Sequence, residues 1–84
     1  MAKFNGHKNW NHWNVSLWIN NDEGLYKRAL FYRNHYRKAN GHGLTGKDRA
    51  VRAFIEHLKY EGITQTPDGA PYSFSSVSAA MVGM

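Results

Sequence analysis

Three tryptophans, Trp10, Trp13 and Trp18, fall within nine residues of a chain of only 84. No other feature constrains the fold as strongly. The stretch from about residue 11 to 20 reads as a short helix capped by Asn9 or Asn11, because an Asn side chain accepts a hydrogen bond from the free N–H groups of a first turn. At 100° per residue, Trp13 and Leu17 fall on one side, with Trp10 near them, and Val15, Trp18 and Ile19 fall on the other. A helix that is apolar nearly all round is a buried one. The segment therefore predicts a central helix, with Trp13 and Trp18 as core anchors and Trp10, at its edge, partly exposed.

A chain this short buries a limited core. Each aromatic it buries removes about 150–250 Å² from water, so an aromatic share of 14 % is its means of holding together. There is no cysteine, which excludes disulfides, thiolate metal sites and Cys nucleophiles. No apolar run approaches the roughly 20 residues that span a bilayer. The first residues lack the apolar stretch of a secretory signal. The expectation is a cytoplasmic protein with no membrane partner.

Beyond the tryptophans the punctuation is helical. Asn20-Asn21-Asp22 breaks the first helix, and Asp22 and Glu23 suit the positive end of a second. That helix is predicted over 22–39, with Leu25, Ala29, Tyr32 and Tyr36 as its apolar stripe. Asn40-Gly41-His42-Gly43 stops it. Thr45 caps a third helix over 46–61, where Ala50, Val51, Phe54, Ile55 and Leu58 form an apolar arc opposite Arg49, Arg52, Glu56 and Lys59, and Gly62 ends it. Residues 62–75 read as a loop holding a tight turn at Thr66-Pro67-Asp68-Gly69. Ser75 or Ser76 starts a last helix over 76–83, small and rich in Ala and Met, expected to dock loosely. The prediction is one all-α domain over 1–84, a three- to four-helix bundle behind an irregular arm at 1–8.

Chemistry-bearing patterns are sparse. Five histidines invite a metal, yet none shows the spacing of a zinc site. Asp22, Glu23 and Asp48 fall in first helical turns, and no serine lies in a nucleophile elbow. Gly46-Lys47 lacks the Ser or Thr and the preceding strand of a phosphate loop. We therefore expect no catalytic residue, metal or cofactor. The formal charge of +5 favours acidic partners, nucleic acid among them. The candidate binding residues are Lys27, Arg28, Arg33, Arg37 and Lys38 on the second helix and Arg49, Arg52 and Lys59 on the third. If the two faces adjoin they make one electropositive surface, with Tyr26, Phe31, Tyr32 or Tyr36 to stack beside it and Trp10 as an aromatic anchor.

The run Asn9-Trp10-Asn11-His12-Trp13-Asn14-Val15, continued by Leu17-Trp18-Ile19 and Asn21-Asp22-Glu23-Gly24-Leu25-Tyr26, resembles a family of small bacteriophage and mobile-element proteins. Their signature reads N-x-x-W-N-x-x-L-W-x-x-N-D-x-G-x-Y. His12 stands where that family more often has Thr, and Asn5-Gly6-His7 replaces its usual Asn-Gly-Trp. Thr66-Pro67-Asp68-Gly69 resembles its recurring tail element, and the match is strong over the first third of the chain. The resemblance carries no activity. It implies a phage-type accessory protein that binds and inhibits a host complex of restriction, CRISPR or transcription. A module acting directly on DNA or RNA is the alternative, and a virion component a further one.

Overall fold

In the computed structural model, residues 9–36 and 46–82 are described. They form four helices: α1 (Trp10–Asn21), α2 (Glu23–His35), α3 (Gly46–Tyr60) and α4 (Phe74–Ala80). The all-α expectation holds. Among the described residues the extended pairing is a single bridge, between Gln65 and Pro71. None of their helices is long and apolar enough to cross a membrane.

Local chemistry sets most of the boundaries. Asn9 accepts from the His12 N–H at 3.0 Å and starts α1. Asp22 serves two helices. Its backbone N–H closes α1 on the Trp18 carbonyl at 3.0 Å, and its carboxylate accepts from the Leu25 N–H to open α2. Both helices thus turn on one extended residue, and Asp22→Ala is expected to cost about 1 kcal/mol of stability, read as a lower denaturation midpoint. Gly62, at φ 81°, ends α3. The Ile63 N–H bonds the Leu58 carbonyl and the Gly62 N–H that of Lys59, the paired bonds of a left-handed helix stop. The predicted cap Thr45, and the stretch 37–39 of the predicted second helix, lie outside the described residues; up to there α2 ends at His35, with Tyr36 as its cap.

The helices close a ring: α1 packs on α2, α2 on α3, α3 on α4, and α4 back on α1. The core draws Val15 and Ile19 from α1, Ala29 from α2 and Ala50, Val51, Phe54 and Leu58 from α3, joined by Ala70, Tyr72, Val77, Ala80 and Met81. Leu25, Tyr32, Tyr36 and Ile55 pack against its edge.

Three expectations are corrected. The last helix begins at Phe74, not 76. Ser73 and Ser76 form a reciprocal capping box, and Val77, Ala80 and Met81 are buried. It is a core element whose main partner is α1. The loop is correspondingly shorter, and its turn is real: the Gly69 N–H bonds the Thr66 carbonyl at 2.8 Å. The third correction concerns α1, which is not buried all round. Leu17 and Trp10 are exposed, and Trp13 and Trp18 are only half-buried. Among the described aromatics the buried core takes only Phe54 and Tyr72. On the α1 side the core is aliphatic: α4 packs on α1, and Val77, Ala80 and Met81 join Val15 and Ile19 there.

Candidate functional site

The tryptophan segment binds its own chain. Asn14, 1 % exposed, donates from Nδ2 to Asp68 Oδ2 at 2.9 Å, and Trp18 Nε1 donates to the same oxygen at 2.9 Å. The Thr66 hydroxyl donates to Asn14 Oδ1 at 2.5 Å and accepts from the Ala70 N–H at 3.0 Å. The Asp68 carboxyl is held below its ordinary value, first by Asn14 and then by Trp18, both of which stabilise the anion. The Asn-Trp run of α1 and the Thr-Pro-Asp-Gly turn are thus two halves of one polar clasp. Sequence reasoning left Asp68 as an ordinary turn residue and gave Asn14 no part.

The predicted cations fare unequally. Lys27 pairs with Glu23 at 3.4 Å along α2. Arg28 crosses to Glu61 at 2.7 Å. His57 Nε2 meets the other oxygen of Glu61 at 3.3 Å. With that N–H turned to Glu61, His57 Nδ1 accepts from the Tyr32 hydroxyl at 2.8 Å. The Glu61 carboxyl is held below its usual range, chiefly by the Arg28 hydrogen bond, with His57 assisting. This relay stitches α2 to α3 and engages Arg28 within the fold. Arg33 is half-buried, its Nε without a hydrogen-bond partner. Arg37 and Lys38 lie outside the described residues.

On α3, Arg49, Arg52, Glu56 and Lys59 form one exposed stripe. It carries three cations against one carboxylate, and Lys59 meets that carboxylate only loosely, at 3.7 Å. An exposed pair of this kind contributes little and breaks readily. Arg52 lies over the Phe74 ring, 5.5 Å from its centroid. Beside the stripe runs a cleft of about 730 Å³ between α3 and the chain segments at Ile63–Thr64 and Tyr72–Phe74. Its wall is Ile55, Ile63, Tyr72 and Phe74, and its rim is Arg52, Glu56 and Lys59. Burial pushes the Tyr72 hydroxyl up from its ordinary value, and Asp22 adds to the shift.

A second exposed surface is aromatic. Phe31, 60 % exposed, stacks on His35, which meets Tyr36 edge-on. Tyr32 meets His57 edge-on, and Tyr60 beyond them is 92 % exposed. Of the nearby cations, Lys27 pairs with Glu23 and Arg28 with Glu61. Trp10 is 39 % exposed at the start of α1. His12 bonds Ser75 at 2.8 Å, tying α1 to α4. Among the described residues, no three His, Asp or Glu side chains come together to hold a metal ion.

The whole chain, residues 1–84, matches the profile of a family of unknown function (DUF7249), and the chain belongs to that family. No curated protein and no solved structure matches it.

Proposed function

We propose that the chain is a non-enzymatic, phage-type accessory protein that attaches to a host macromolecule and blocks it, with the outer face of α3 as its binding surface. The observation that carries this reading is the Arg49–Arg52–Lys59 stripe beside an apolar cleft. Cations at a rim steer an acidic partner, and an apolar floor supplies the buried contact that holds it. Of the carboxylates near the cleft, Glu61 is engaged by Arg28 and His57. The resemblance to phage proteins supports a host complex as the target.

The double reversal Arg52→Glu/Lys59→Glu tests the reading. Tagged wild-type and reversed chains are used side by side as bait in host extract. The wild type is expected to retain a partner that the reversed chain loses, and retention by both would contradict the assignment of the surface. The aromatic ridge favours a second reading, direct binding of single-stranded nucleic acid by stacking on Phe31 and Tyr60. That reading requires oligonucleotide affinity that falls steeply with salt and drops in Phe31→Ser/Tyr60→Ser.

A further inference from the structure

The cleft along α3 does not end at Ile63 and Tyr72. The same two residues wall a second cleft of about 440 Å³, bounded on its far side by Trp18, Leu25 and Pro67, with Arg28 and the acids Asp22 and Glu61 on its rim. Adjoining at Ile63 and Tyr72, the two clefts are together called the trough, with one end at the cationic stripe of α3 and the other at the corner where α1 meets α2. We infer that this trough takes an extended acidic peptide segment of the partner, with an apolar side chain held between Trp18, Leu25 and Pro67 and carboxylates set on Arg52 and Lys59. The inference rests on the reading that α3 presents the binding surface, and it names the chemistry of what is bound.

Charge and shape select the occupant. Arg52 lies over the Phe74 ring, 5.5 Å from its centroid, and a guanidinium at that place suits a carboxylate, which it can bind through two N–H groups. Among the described residues no ion pair is recorded for Arg52, and at this end of the trough Arg52 and Lys59 stand against the single carboxylate of Glu56, a net positive balance. Nucleic acid fits less well. Glu56 stands between Arg52 and Lys59 in the stripe, and Glu61 stands on the rim of the second cleft. A strand with a phosphate at every nucleotide brings negative charge onto both. A peptide can place acids only where cations wait, and an extended backbone turns alternate side chains toward the surface it lies on. The far cleft offers an indole, an aliphatic side chain and a proline ring, the lining expected for an apolar anchor.

The test is affinity selection from a randomised peptide library on the immobilised chain, with a single-stranded oligonucleotide titrated in parallel. Wild type is run beside Arg52→Glu, Ile63→Ser and Lys27→Glu, each checked for an unchanged thermal transition. The expected result is a consensus of Asp and Glu around Leu, Ile or Phe. A peptide made to that consensus should bind at least about tenfold more weakly to Arg52→Glu, a loss of about 1.4 kcal/mol. It should also bind more weakly to Ile63→Ser and equally well to Lys27→Glu. A consensus without acidic enrichment, or equal recovery on Arg52→Glu, overturns the inference. Oligonucleotide binding that Arg52→Glu abolishes, with no acidic peptide selected, overturns the peptide and keeps the surface. Absence of binding by either probe at low salt overturns both.

Discussion

Val77→Asp is expected to abolish the cooperative unfolding transition and the near-ultraviolet circular dichroism of the native chain. Val77 is fully buried in the middle of α4, the helix that packs most extensively on α1. A carboxylate there meets an apolar core with nothing to pair it. Such a group either stays charged at a cost of several kcal/mol or takes up a proton, with its pKa raised by about 3–5 units. At about 1.4 kcal/mol per unit, that consumes most of the roughly 5–10 kcal/mol that holds a domain of this size. Met81→Ala, also fully buried, provides a graded companion expected to cost about 2–5 kcal/mol. If Val77→Asp melts cooperatively within a few degrees of wild type, α4 is the loosely docked tail that its composition suggests.

The second large effect is expected at Asn14. Its amide donates to Asp68 and accepts from Thr66, and Asn14→Ala leaves the buried Thr66 hydroxyl without its acceptor. Stranding a buried polar group costs about 1–3 kcal/mol, and the upper end applies because two bonds are lost together. In a chain of this length each kcal/mol lowers the melting temperature by about 4–8 °C, so the expected fall is on the order of 10–20 °C. The variant should also change the pH dependence of stability. The Asp68 carboxyl is depressed in the folded chain by Asn14 first and Trp18 second. A depressed carboxyl contributes stability that is fully present above its unfolded value, about 3.9, and is lost as the pH falls through the folded one. Removing the larger of its two donors makes that acid loss shallower. Denaturant melts of wild type and variant from neutral pH downward measure it, and parallel curves would contradict the clasp.

The sequence made legible whatever is set by neighbours along the chain. Asn9, Asp22 and Gly62 mark helix ends because each acts on backbone groups within a few residues. The stripe Leu25–Ala29–Tyr32–Tyr36 and the arc Ala50–Val51–Phe54–Leu58 face inward as their spacing requires. The illegible part lies in pairings between distant segments. Asn14 and Asp68 are 54 residues apart, and nothing local distinguishes an Asp that binds α1 from one that only shapes a turn. Arg28 and Glu61 are 33 apart, so the basic residues that the fold engages could not be separated from those it leaves open. The role of α4 was hidden for a different reason. A seven-residue segment of Ser, Ala, Val and Phe has too few large side chains to announce burial, and its weight comes from what α1 and α3 leave uncovered.

The central claim is that the polar groups of the Trp-Asn signature, the Asn14 amide and the Trp18 indole N–H, are engaged within the chain by Asp68, and that recognition belongs to the surface of α3 and the trough beside it. Solvent exchange of the three indole N–H groups, followed together by nuclear magnetic resonance, tests it most directly. The Trp18 indole N–H is expected to exchange slowly at neutral pH and to lose that protection as the pH falls through the depressed Asp68 value. Trp10, exposed at the start of α1, serves as the reference in the same spectrum. A Trp18 indole that exchanges as fast as Trp10 at neutral pH would contradict the account, because Asp68 would then not hold the Trp18 indole N–H.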